Sequence, residues 1–237
     1  MAMRSLTRRE ALALLGATGA AAAGAAARAD QQSGALPACI VRPEQTQGPY
    51  FVDERLHRSD ITTDPATGSV RRGAPLALAF EVSRMTRGGC EPLPAVQVDV
   101  WQCDAHGVYS DVRDRMVDST GQKFLRGYQT TDAAGRASFR TIYPGWYSGR
   151  AVHVHFKVRM PRGPRNSGRA SEFTSQIYFD EEVTDRVHRE APYNTRRQGR
   201  VPNVRDRMFR DGGERLLVSP RLVNGVYTAT FTLGLAL

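Results

Sequence analysis

Val152-His153-Val154-His155-Phe156-Lys157-Val158 reads as a β-strand, since β-forming residues recur at every second position. On such a strand residues i and i+2 point the same way, so His153 and His155 present two imidazoles to one face. Outward from this run, other short segments have the same character. Residues 76–82 run as β-formers, and residues 96–101 place Val96, Val98 and Val100 on one face. Residues 137–142 follow a turn at Asp132-Ala133-Ala134-Gly135. Residues 173–179 form another strand, and a last pair meets at Asn224-Gly225, a strong hairpin signal. After residue 29 no segment carries a long 3.6-residue apolar period. The expected fold is all-β: an antiparallel β-sandwich of about seven to nine strands, with long loops and an extended N-terminal arm.

The 237 residues allow one or two domains with a proper core. With 41% hydrophobic and 24% charged residues, disordered and collagen-like classes are excluded. Residues 1–29 read as an export signal of twin-arginine type. Arg4, Arg8 and Arg9 precede an apolar run over 11–27, and Ala27-Arg28-Ala29 stands before Asp30. The expected destination is the periplasm or the exterior. Residues 30–74 are rich in Pro, Gly and Asp and read as the arm, and 75–237 as the sandwich. No second long apolar stretch follows the signal, so the mature chain is expected not to span a membrane. The formal charge of +9 invites a nucleic-acid partner. A third of that excess sits in residues 1–29, however, and the remainder is interleaved with acids without any nucleic-acid motif. The Arg-rich stretch 185–211 is expected to be a solvated loop over a sheet edge.

A His-x-His pair on rigid backbone can chelate a metal, and the neighbouring ligands decide which one. Two oxygenase and hydrolase patterns need a carboxylate nearby, yet Val158 and Arg159 hold the later positions and no acid lies between Ala151 and Pro161. Tyrosine is available instead. Tyr147 stands six residues before His153 on a Pro-Gly turn, and Tyr109 ends the run that starts at Trp101. Phenolate is a hard anionic ligand suited to a hard trivalent cation such as Fe(III).

The ordered pieces resemble the intradiol ring-cleavage dioxygenases, the family of protocatechuate 3,4-dioxygenase and catechol 1,2-dioxygenase. Pro43-Glu44-Gln45-Thr46-Gln47-Gly48-Pro49-Tyr50 resembles the family's arm. Val100-Trp101-Gln102 leading to Gly107-Val108-Tyr109-Ser110 resembles the segment of its first tyrosine ligand. Thr141-Ile142-Tyr143-Pro144-Gly145-Trp146-Tyr147 resembles that of the second. Arg150-Ala151-Val152-His153-Val154-His155-Phe156 resembles its Arg-x-x-His-x-His strand, and Ser175-Gln176-Ile177-Tyr178-Phe179 the strand after it.

The resemblance implies that Tyr109, Tyr147, His153 and His155 bind a non-haem Fe(III). Tyr147 matches the tyrosine that leaves the metal when substrate binds and helps take the substrate's protons. Arg150 would offset negative charge on the ring and Gln176 would orient the substrate. The implied reaction inserts both atoms of O2 into a catechol-type diol, giving a cis,cis-muconate-type diacid. A homo-oligomer is compatible with this picture. The alternative from another class is a non-catalytic metal- or ligand-binding β-sandwich of the cell envelope.

Three departures from the family's pattern stand out. The stretch from Tyr147 to His153 is short, the helical N-terminal dimerisation region is missing, and an export signal is unusual. Trp146 either lines the pocket or packs under its turn. His57, His106 and His188 lie in polar stretches and are expected to be solvated. Among Cys39, Cys90 and Cys103 one disulfide is expected, with three pairings open.

Overall fold

Leu76, Leu78, Phe80 and Val82 alternate with less buried neighbours along β1 (Pro75–Thr86), and burial alternates in step with the sequence. In this computed structural model the described residues are 40–114, 117–160 and 172–236. All belong to one unit, Leu36–Leu237. The export signal, the start of the arm and Cys39 lie outside the described residues.

Ten strands are present among the described residues. After β1 come β2 (Gly89–Pro92), β3 (Gln97–Trp101), β4 (Arg126–Thr130), β5 (Arg136–Ile142) and β6 (His153–Arg159). They are followed by β7 (Glu172–Phe179), β8 (Leu217–Val218), β9 (Arg221–Val223) and β10 (Val226–Leu235). They form two five-stranded sheets: β2-β1-β10-β9 with β5 also paired to β1, and β4-β3-β6-β7-β8. This is the expected sandwich, with two parallel pairings inside it, β1 with β10 and β7 with β8. Residues 40–74 contribute only isolated bridges, such as Val41 to Gly234 and Asp60 to Arg140.

The core lies between the sheets. Phe80 on β1 meets Phe156 on β6 with ring centroids 5.4 Å apart, and Phe156 meets Phe231 on β10 at 5.1 Å. Val154, Phe156 and Val158 all enter this core. Alternation therefore sends His153, His155 and Lys157 to the opposite face of the second sheet. That outward face is nevertheless closed, because His153, His155 and Lys157 are all buried. The arm covers it. Gln45 N–H donates to the Thr174 carbonyl, Gln176 Nε2 to the Thr46 carbonyl at 3.3 Å, and Lys157 Nζ to Gln47 Oε1 at 3.1 Å.

The stretch 185–211 corrects the expectation of a solvated loop. It begins inside α1 (Glu181–His188), which Asp180 caps by accepting from Val183 N–H, and continues through short 3-10 turns to α2 (Arg207–Arg210). Val187, Tyr193, Asn203 and Asp206 are buried within it. Ion pairs rather than water satisfy part of its charge: Arg200 pairs with Glu181 and with Asp185. No helix among the described residues is long and apolar enough to cross a membrane. Cys90 is disulfide-bonded, whereas Cys103 is a free, buried thiol.

Candidate metal centre

Three neighbouring strands lay the floor of the site. In the β3-β6-β7 register Trp101 pairs with His155, His155 with Gln176, and His153 with Tyr178. The Trp101 indole stacks on the His155 ring at 5.1 Å and 2°. Gly48 of the arm also closes on that ring. With φ at +69°, it is a position where a Cβ would stand 3.1 Å from His155 Cε1 and 3.3 Å from Nε2. His155 is thus clamped by packing, and its Nδ1 is buried without a hydrogen-bond partner. His153 is held differently, because its Nδ1 donates to the Ala151 carbonyl at 2.7 Å and leaves Nε2 free to act as a donor atom toward a metal.

Tyr109 arrives from the loop after β3. Asp104 shapes that loop by accepting from the backbone N–H groups of His106 and Val108. Ser119 Oγ donates to the Tyr109 carbonyl at 2.6 Å. Gly107, at φ +82°, lets the loop lie against the Trp146 carbonyl, where any Cβ would collide. The same contact brings in the turn that carries Tyr147. Tyr109, Trp101 and Cys103 form a second buried cluster with Tyr50, Phe51, Val112 and Tyr147 packed on it.

The donor atoms converge. Nε2 of His153 lies 3.1 Å from Nε2 of His155 and 3.3 Å from the Tyr109 hydroxyl. Ligands about 2.0–2.1 Å from one metal ion stand roughly 3 Å from each other, so these three fit one coordination sphere. The Tyr147 ring meets Tyr109 at 5.7 Å and His153 at 5.6 Å. Among the described residues no group of three or more His, Cys, Asp or Glu side chains could hold a metal. Any metal held at this position therefore takes phenolic oxygens alongside the imidazoles, a set suited to a hard cation.

Electrostatics point the same way. Burial pushes the His153 imidazole down to about 3 and His155 well below its ordinary value, so both stay neutral and able to ligate. Burial raises the Tyr109 phenol far above its usual range. Burial also raises Tyr147, against the opposing pull of the Arg150 guanidinium. Only a strong local cation would ionise two such phenols together.

Arg150 and Gln176 adjoin this cluster. Arg150 donates to the Tyr147 hydroxyl at 3.1 Å and to Gln176 Oε1 at 2.6 Å. All six residues singled out from the sequence are thus gathered in one place. Trp146 is not among them. It packs beneath its turn, stacked on His188 at 4.9 Å with Arg196 over its indole. His188 is accordingly not solvated. It lies between Trp146 and Tyr193, its Nε2 faces the Pro144 carbonyl at 3.1 Å, and burial lowers its pKa to about 4. His106 and His57 are exposed, although His57 stacks on Tyr128.

The sequence left other participants unassigned. Tyr50 stacks on Tyr109 at 4.6 Å and meets Tyr147 edge-on at 5.4 Å. Tyr178 receives a hydrogen bond from Arg150 at 3.3 Å and donates to Gln45 Oε1 at 2.9 Å. Its period-two spacing from Gln176 could have pointed to it.

The family model described as Dioxygenase matches residues 46–217, well over half of the chain and spanning every residue of this cluster. The chain belongs to the intradiol dioxygenase family. The intradiol dioxygenases are non-haem Fe(III) enzymes. Catechol 1,2-dioxygenase of Candida albicans is 30% identical over 135 residues, covering 48% of this chain and 41% of that protein. The protocatechuate 3,4-dioxygenase beta chain of Burkholderia cepacia is 34% identical over 104 residues, covering 40% of this chain and 44% of that one. The matches thus span less than half the length of these curated relatives. An intradiol ring-cleavage dioxygenase of Tetranychus urticae shares the fold with a TM-score of 0.73 and 27% identity, covering 84% of this chain and 95% of that one.

Proposed function

We propose that this intradiol dioxygenase cleaves a catechol-type diol between its two hydroxyl-bearing carbons, consuming O2 and releasing a cis,cis-muconate-type diacid. In this proposal Fe(III) is held by Tyr109, Tyr147, His153 and His155. The supporting observation is the convergence of two neutral imidazoles and the buried Tyr109 phenol on one point, with the half-buried Tyr147 ring packed against Tyr109 and His153. Bound Fe(III) would supply the Lewis acidity that takes up both catechol oxygens and opens the ring to O2.

The remaining steps belong to side chains of this chain. Tyr147 is only half-buried, and as a phenolate its burial-raised pKa would suit its oxygen to accept a proton from a catechol hydroxyl, with the Arg150 guanidinium holding that oxygen in place. Arg150 then offsets the negative charge that accumulates on the ring. Gln176, whose Nε2 is tied to the Thr46 carbonyl, presents a fixed polar edge beside the ring. Tyr50, Phe51, Trp101 and Val112 supply apolar walls that keep bulk water from the reacting carbons.

The visible spectrum of the purified protein is the test. Tyrosinate bound to Fe(III) gives a broad charge-transfer band, and adding catechol should shift it as product forms. Tyr109→Phe and His155→Ala should lose iron, whereas Tyr147→Phe should keep iron with an altered colour and a slower rate. A protein that stays colourless after iron loading and does not respond to any catechol would rule the proposal out.

A further inference from the structure

Asp206 lies outside the recognised segments, in the Arg-rich stretch, yet its side chain is completely enclosed. Its two oxygens accept four hydrogen bonds. Oδ1 takes the backbone N–H groups of Met208 at 2.7 Å and Phe209 at 3.3 Å, which caps α2. Oδ2 takes Arg150 Nε at 2.8 Å and the Ala151 N–H at 2.6 Å. A four-residue helix needs only a neutral cap such as serine, so a second oxygen and a full charge exceed what capping requires.

The partners of Oδ2 indicate what the excess does. A guanidinium is planar, so fixing Nε fixes the directions of both terminal nitrogens. With Nε on Asp206, one terminal nitrogen reaches the Tyr147 hydroxyl at 3.1 Å and the other reaches Gln176 Oε1 at 2.6 Å. Ala151, whose N–H is held by the same oxygen, receives His153 Nδ1 on its own carbonyl, in the next peptide unit, at 2.7 Å. One carboxylate thereby aims the guanidinium at one proposed iron ligand and steadies the residue whose carbonyl orients another. Left without a carboxylate, a largely buried guanidinium would be drawn toward whichever phenol or amide lay nearest.

We propose that Asp206 is a positioning residue for ring cleavage, acting through Arg150. This inference rests on the dioxygenase proposal above, and its test separates the two. Asp206→Ser keeps a cap for α2 but cannot reach Arg150 or Ala151, and Asp206→Asn keeps the shape without the charge. Both should bind iron with wild-type stoichiometry. Both should show a displaced tyrosinate charge-transfer band and a kcat about 10–100-fold lower, with KM changed much less. In an Arg150→Ala background, adding Asp206→Ser should cost less than about twofold. In the iron-free wild type, the Arg150 Nε–H resonance should exchange slowly with solvent, a measurement that needs no variant. An unprotected Nε–H overturns the inference, as does an Asp206→Ser enzyme with wild-type band and kcat, or an effect that multiplies fully with Arg150→Ala. A wild type lacking the band and the turnover would instead sink the dioxygenase proposal itself.

Discussion

The donor side chains reach one point because single residues forbid the alternatives. Gly48 is the sharpest case, since its backbone lies in the left-handed region and faces the His155 ring directly. Gly48→Ala should lower stability by about 1 kcal/mol through the backbone alone. It should also weaken iron binding roughly 10–100-fold by pushing on a proposed ligand, readable by competition with a chelator. Unchanged affinity would mean that the arm does not bear on His155. At this scale the sequence was legible where chemistry dictates type and order: two tyrosines, an arginine and a His-x-His pair. Asp206 was not, because one of four acids scattered among eight arginines carries no periodic or motif signal, and only the folded chain brings it to Arg150. Tyr50 stood within the quoted arm segment, but stacking on Tyr109 is a property of three dimensions.

Among elements, strands with an apolar alternating face or a hairpin turn signal were readable, and those with neither were not. β1, β3, β5, β6, β7 and β10 all contribute apolar side chains to the core. β4, Arg-Gly-Tyr-Gln-Thr, has no apolar alternation and is invisible to that pattern. The helices escaped for a related reason: α1 is eight residues long with only Val183 and Val187 as aliphatic positions, too few to set a period. His188 at the end of α1 yields a pH prediction. Its pKa is lowered from 6.5 to about 4 by burial, so the unfolded chain binds the extra proton between those values. Its contribution to stability is complete above about pH 6.5 and is lost as pH falls toward 4. Thermal melts of the iron-free protein should therefore show Tm dropping across that window, and His188→Gln should drop less. Parallel pH profiles for the two proteins would refute this role.

For the whole molecule, the two sheets divide the labour. The inner faces meet through Phe80, Phe139, Phe156 and Phe231, while the outer face of the second sheet holds the candidate centre. Phe80 stands on the sheet away from that centre, with ring contacts at 5.4–6.0 Å to three other phenylalanines. Phe80→Ala should cost about 3–5 kcal/mol in urea unfolding, yet the protein refolded in the cold should still bind one iron. Loss of iron binding by a folded Phe80→Ala protein would show that the core and the centre are not separable. The sandwich itself followed from turn punctuation and alternation. The parallel partnership of β1 with β10 did not, because pairing between distant strands leaves no local trace.

The arm across the second sheet also sets an order of events. Pro43, Gln45 and Thr46 bind Ser175, Tyr178 and Gln176, partners 130–133 residues further along the chain. During synthesis the arm emerges before any of them, and closing so long a loop carries a heavy entropic cost until the sheet exists to receive it. A segment made before the sheet is then among the last to dock. Until it does, His155 lacks its Gly48 contact, which leaves a way for a metal ion to enter a finished sheet before the arm seals it.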